Sequence, residues 1–180
     1  EVATKFIESI GKISVMAKDS PGFIVNKVAR PFYGEAIRIL EEGISDIPTI
    51  DHAMTSLGGF KMGPFTLMDF IGHDVNFKVT TEVWKAFHYD SRYKPSFTQQ
   101  RLVEAGYLGK KTNKGFYDYN HPLPASSFEE KEAEIEYVYM RILCMLINEA
   151  ADTVFNNICS EDDVELAMLY GTNYPKGLLA

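Results

Sequence analysis

The chain has 180 residues, 46% of them hydrophobic, enough for one sizeable domain or two small ones. Its net charge of −7 argues against nucleic-acid binding, and no window approaches the run of about 18 apolar residues that a membrane span requires. The two cysteines, Cys144 and Cys159, are too few for a disulfide framework and are expected as reduced core thiols; with no secretory layout at the N-terminus, a cytoplasmic protein is expected.

Residues 2–11 read as a short helix, and the alternation of Ile13, Val15 and Ala17 predicts a strand ending near Lys18. Ser20 is a good N-cap and Pro21 suits a first helical turn, so a long helix is expected from Pro21 to Glu42, kinked at Pro31 and ended by Gly43. Phe23, Ile24, Val28, Phe32, Ile37 and Leu40 give it an apolar period, and Asn26 interrupts that period with a lone amide. Such an amide either satisfies a neighbouring backbone group in the core or offers a donor and an acceptor to a ligand.

A second helix is expected over Pro48 to Leu57. Pro64 opens a third, Asp74 caps a fourth, and Pro95 starts a fifth that stops at Gly106. LGKKTNKGFYDYN reads as loop with some extended character, and Lys110, Lys111 and Lys114 form with Arg101 the notable basic cluster. Residues 121–127 make a proline-containing linker. Ser127 and Glu130 then form a capping box for a helix of about 30 residues, and a short helix follows Ser160.

The second part repeats the first at a shift of 114 positions. Glu35-Ala36 fall on Glu149-Ala150, Leu40 on Val154, Ile44 on Ile158, Ile50 on Val164, Ala53-Met54 on Ala167-Met168, Phe60 on Tyr174 and Gly63 on Gly177. Asn26 falls on Met140, so the second copy keeps packing positions and loses the amide.

His52, His73, His88 and His121 lack metal-ligand spacing and are expected at solvent or interface positions, with no metal bound. No G-x-G-x-x-G occurs, and GKKT is not a phosphate-binding loop because Glu104 stands where glycine is needed. Asp69, Phe70, Phe77, Trp84 and Phe87 read as ordinary helix packing.

The blocks PGFIVNK, EAIRILEEG, IDHAM, GGFKMGPFTLMDFIG and LGKKTNKGFYDY, spanning Lys18 to Tyr119 in this order, resemble the C-terminal domain of the 3-hydroxyacyl-CoA dehydrogenases, among them the 3-hydroxybutyryl-CoA enzymes. The resemblance implies an all-α fold of the 6-phosphogluconate dehydrogenase C-terminal-domain type in two repeats, preceded by a short α/β remnant of a missing Rossmann domain. Residues 1–19 would be the tail of that NAD-binding domain, 20–120 the first helical domain, and 128–180 a second, degenerate repeat.

It also implies the chemistry: oxidation of an (S)-3-hydroxyacyl-CoA to the 3-ketoacyl-CoA, with NAD bound mainly by the absent domain. Asn26 matches the catalytic amide that binds the reacting oxygen, and Lys111 a lysine that reaches NAD. Met62, Pro64, Phe65 and Leu67 border the acyl pocket or, equally, pack in the core. The base, a histidine oriented by a glutamate, belongs to the upstream domain, so these residues alone are expected to be inactive. The expected partners are the acyl-CoA, that upstream Rossmann domain and a possible homo-oligomer; the second repeat could take a partner subunit's place. The competing reading is a non-catalytic helical dimerisation module on the same scaffold, and a third is the multifunctional fatty-acid oxidation enzyme, with a hydratase domain further upstream.

Overall fold

In the computed structural model of the chain, which describes residues 2–121 and 127–180, the regular elements are all helices. They are α1 (Val2–Ser9), α2 (Val25–Val28), α3 (Arg30–Glu41), α4 (Ile47–Ser56), α5 (Pro64–Ile71), α6 (His73–Ala86), α7 (Phe97–Glu104), α8 (Glu132–Phe155) and α9 (Glu161–Leu166). Short 3-10 turns cover Ser91–Tyr93 and Lys110–Thr112, and a π turn, Ala167–Gly171, continues α9. The all-α expectation holds.

The centre of the fold is α8 against α3, α4 and α2. Ile135, Val138, Ile142, Leu146 and Ala150 recur every three or four positions and are buried on one face of α8. They meet Phe32, Ala36, Ile37 and Ile39 of α3 and Ile50, Ala53 and Met54 of α4 in one apolar cluster. Burial of each large aliphatic side chain there contributes about 1.5–3 kcal/mol.

Several local expectations change. The first long helix begins at Val25, not at Pro21, because Gly22 (φ 77°) and Phe23 (φ 48°) take left-handed conformations and turn the chain first. Ser20 therefore caps nothing; its carbonyl accepts from Phe23 N–H at 2.9 Å. The kink expected at Pro31 is a full break at Ala29, which ends α2 and starts α3, with Pro31 in the first turn of α3 where its missing N–H is harmless.

No strand occurs among the described residues. The segment 12–18 is irregular and pairs with no strand among the described residues; two of its N–H groups go elsewhere, Met16 to the Asp163 carboxylate (3.1 Å) and Lys18 to the Ile158 carbonyl (2.7 Å). The capping box at Ser127 also fails. Phe128 stacks on His52 with centroids 3.9 Å apart, a turn brings Lys131 N–H onto the Phe128 carbonyl, and α8 starts only at Glu132. Of the linker 121–127, residues 122–126 lie outside the described residues. The cysteines are not core thiols: Cys144 is exposed and Cys159 half-buried, both free.

Local geometry recurs at the 114-residue shift. Phe60 N–H donates to Met54 carbonyl at 3.2 Å and Tyr174 N–H to Met168 carbonyl at 3.1 Å. Ile44 bonds Ile39, and Ile158 bonds Thr153, at 3.1 and 3.0 Å. Asp46 caps α4 through Thr49 N–H as Ser160 caps α9 through Asp163 N–H. Asp51 receives the N–H groups of Phe65 and Thr66, while Glu165, its counterpart, receives those of Leu178 and Leu179. Left-handed Gly43 and Gly59 correspond to left-handed Asn157 and Asn173.

Candidate active site

The turn at Gly22 and Phe23 decides where Asn26 goes. Because α2 starts at Val25, Asn26 sits in its first turn, with its N–H donating to the Gly22 carbonyl at 3.1 Å. Its side chain is exposed and lines an open groove of about 440 Å³. Val15, Met16, Ala17 and Ala167 line the same groove. A carboxamide so placed offers a donor to a ligand from a fixed backbone. The adjacent Lys27 turns the other way, into the interior.

Lys27 is 1% exposed. Its ammonium donates to Glu149 (3.0 Å), Asp152 (2.7 Å) and Thr153 (3.1 Å), all on α8. Glu149, fully buried, also accepts from Arg92 Nη1 (2.9 Å) and the Tyr93 hydroxyl (2.6 Å). The Tyr93 hydroxyl is held protonated, first by burial and then by the Glu149 carboxylate it serves. On the other side of the α3–α8 contact, Glu35 accepts from Arg38 and, at 3.0 Å, from Arg141 Nε. Of this network the sequence marks only Glu35 and Glu149, and those as matching positions of the shift rather than as ion-pair partners; a buried lysine looks like any helix-surface lysine until its partners are known.

Lys111 lies on the 3-10 turn Lys110–Thr112, 44% exposed and ion-paired with Asp74, whose carboxyl it draws below the usual range. Its loop is closed by Gly109 and Lys114, which exchange backbone hydrogen bonds of 2.7 and 3.1 Å. Asp69 anchors the loop from beneath. Far from ordinary packing, it is fully buried and accepts from His73 Nε2 (2.7 Å), Phe116 N–H (2.9 Å), Tyr117 N–H (3.0 Å) and Tyr119 hydroxyl (2.9 Å). His73 is likewise buried, against the expectation of a solvent or interface position, and Gln99 bridges it to Asn76. Phe70 departs in the opposite sense: it is 62% exposed, with the Lys110 ammonium 5.8 Å from its ring.

Pro64 and Phe65 are core residues, with Phe65 edge-on to Phe116 at 4.6 Å. Met62 and Leu67 are half-buried. Neither these four residues nor Lys111 lines the Asn26 groove. Asp51 fixes their loop by capping α5 from α4 and accepting from Thr66 and Tyr117 hydroxyls at 2.6 and 2.9 Å.

Residues 22–119 match the family described as 3-hydroxyacyl-CoA dehydrogenase, C-terminal domain. The chain belongs to that family. It is 31% identical to the 3-hydroxyadipyl-CoA dehydrogenase of Escherichia coli over 96% of this chain and 54% of the relative, and 39% identical to a 3-hydroxybutyryl-CoA dehydrogenase of Bradyrhizobium diazoefficiens over 69% and 42%. The crystal structure of a 3-hydroxybutyryl-CoA dehydrogenase from Escherichia coli superposes with a TM-score of 0.86 at 30% identity, covering 98% of this chain and 55% of that one. A family member of shorter match, the (S)-3-hydroxybutyryl-CoA dehydrogenase of Ralstonia eutropha, gives 0.63 at 35% identity over 66% and 41%. The chain thus spans about half the length, or less, of these relatives.

Proposed function

We propose that this chain is the helical, substrate-facing part of an NAD-dependent dehydrogenase that oxidises (S)-3-hydroxyacyl-CoA, with a short acyl chain such as 3-hydroxybutyryl, to the 3-ketoacyl-CoA. The observation that carries this reading is the position of Asn26 at an open groove, on the residue that the family motif marks for contact with the reacting oxygen. NAD, when bound, would supply the hydride acceptor for C3, and a base that the family places in the upstream domain would take the hydroxyl proton. The Asn26 side-chain carboxamide donates to the oxygen as negative charge grows on it, and Val15, Met16 and Ala17 of the groove lining hold the acyl end against it.

The NAD site belongs mostly to polypeptide outside this chain. What these residues fit is one contact: the Lys111 ammonium, exposed on a flexible stem, can leave Asp74 for an oxygen of the cofactor. Exposed apolar side chains at Val2, Phe6, Ile10, Ile13 and Met16 suit a covering upstream domain. Assay of the whole protein for NADH formation from (S)-3-hydroxybutyryl-CoA tests the reading; no turnover on this or longer acyl-CoAs refutes it.

The second repeat, in the same reading, stands where a partner subunit's helical domain would stand. Supporting this are two reciprocal ion pairs. Lys27 binds Glu149, and Arg141, which is 27 plus 114, binds Glu35, which is 149 minus 114. Reciprocity of this kind is the signature of a two-fold interface, here written within one chain. The groove corresponding to that of Asn26 is lined by Met140 with Glu129, Glu132 and Glu136, and carries no amide among its described lining residues. The retained Asn26 groove disfavours a purely structural module. Sedimentation that detects a tight dimer built through the first-repeat faces of α3 contradicts the internal pairing.

A further inference from the structure

Arg30 follows Asn26 by one helical turn and is 8% exposed. Among the described residues its guanidinium has no carboxylate partner. Nη1 donates to Thr80 Oγ1 at 3.1 Å, the group lies 4.9 Å from the centre of the Tyr33 ring, and the buried Nε has no acceptor. Burial pulls its pKa below that of a free guanidinium. An arginine cannot escape that cost by losing its proton at ordinary pH, so a buried one calls for an anion.

Arg30 lines a cavity of about 250 Å³ between α3, α6, the loop 91–96 and the start of α7. Arg38, Arg92, Lys94 and the carboxylate of Glu41 also line it; Arg38 is paired with Glu35, and Arg92 with Asp90 and Glu149, which leaves Arg30 as the buried guanidinium without a carboxylate among the described residues. The Glu41 carboxylate is already taken by the hydroxyls of Ser96 and Thr98, both at 2.7 Å. Arg38 fastens the loop wall, donating to the carbonyls of Ser91 (2.9 Å) and Arg92 (3.1 Å).

Gly34 supplies an independent observation. It sits in the interior of α3, where glycine is disfavoured relative to alanine. Its backbone needs no left-handed angle, and a Cβ added there would meet no atom within 4 Å. Packing therefore gives no reason for this glycine. It does widen the cavity wall one turn beyond Arg30.

We propose that this cavity is a binding site for a small oxyanion, a short-chain carboxylate or a phosphate, held by Arg30 and admitted by the bare backbone at Gly34. A guanidinium offers paired donors that match either group, and the volume falls below that of pockets for larger organic ligands. The bound anion would neutralise Arg30 and join α3 to the loop 91–96. The proposal does not depend on the dehydrogenase reading.

The test is calorimetric titration of the whole protein with sodium succinate and, separately, sodium phosphate, at matched ionic strength. A saturable signal with either anion is expected, and which one binds names the class. The signal should vanish in Arg30→Met, which removes the charge, and in Gly34→Leu, which fills the space. If Arg30→Met does not fold, Gly34→Leu alone decides. Absence of a saturable signal with both anions at millimolar concentration, or its survival in either folded variant, overturns the proposal.

Discussion

Lys27 and Glu149 are 122 positions apart in sequence and 3.0 Å apart in space, both almost wholly removed from solvent. Each lies on the α2–α8 contact that joins the two halves of the chain. Removing one member of a buried pair strands the other, so Lys27→Met should destabilise the protein by about 3–5 kcal/mol. Its counterpart Arg141 is 22% exposed and pairs partly with the exposed Glu42, so Arg141→Met should cost about 1 kcal/mol. Urea denaturation of the whole protein measures both. Equal losses would mean that burial does not distinguish the two pairs.

Asn26→Ala should remove transition-state stabilisation of about 2–4 kcal/mol, seen mainly in kcat with KM for the acyl-CoA little changed. Met140→Ala, at the corresponding position of the second groove, should leave kcat within about twofold. Steady-state kinetics on the two variants decides whether one groove or both carry the reaction. A normal kcat for folded Asn26→Ala ends the assignment.

What could be read from the sequence divides by range. Pro31 stands in the first turn of α3, where its fixed φ and missing N–H suit a helix start, and Ser160 caps α9 through an N–H three residues on; both are visible locally. Asn26 was marked by a contiguous motif. The role of Lys27 was hidden, since its three partners lie on a helix that begins more than a hundred residues later. Asp69 looked like one more helix residue because the N–H groups it collects, those of Phe116 and Tyr117, are remote in sequence. The alternation at Ile13, Val15 and Ala17 was real but could not become a strand without a neighbour to pair with. Phe65 and Leu67 could not be divided into core and groove by pattern, because α5 has apolar residues on most of its circumference.

Acid should unfasten the loop that carries Lys111. Burial pushes the Asp69 carboxyl upward, but the hydrogen bonds from His73, from the Tyr117 and Phe116 N–H groups and from the Tyr119 hydroxyl outweigh it and leave it below the usual range. A depressed folded value means that this contribution is complete above the unfolded pKa of about 3.9 and is lost as pH falls through the folded value. Asp51, which holds Tyr117 from the other side, has the opposite sign. Its burial outweighs its four donors and its pKa is raised, so its linkage favours the fold at low pH and fades as pH rises through the raised value. Asp69→Asn should therefore flatten the acid limb of the stability profile and Asp51→Asn should steepen it. Thermal unfolding between about pH 2 and 6 reads both slopes, and identical slopes would contradict the opposed environments.

Gly63 and Gly177 occupy corresponding loops, each pressed against the carboxylate residue that gathers the following N–H groups. A Cβ on Gly63 would drive into the Cα, Cβ and Oδ1 atoms of Asp51, which α4 and four hydrogen-bond donors hold in place. A Cβ on Gly177 would strike the end of the Glu165 side chain, which can rotate away once it releases Leu178 and Leu179. The φ of Gly63 is −71°, so alanine brings crowding there without backbone strain. Gly63→Ala should then cost about 2–3 kcal/mol, as overpacking against rigid atoms does, and Gly177→Ala about 1 kcal/mol or less. Denaturant unfolding of the two variants gives the comparison. A larger loss at Gly177 would show that the Glu165 side chain is held as rigidly as Asp51 and cannot rotate away.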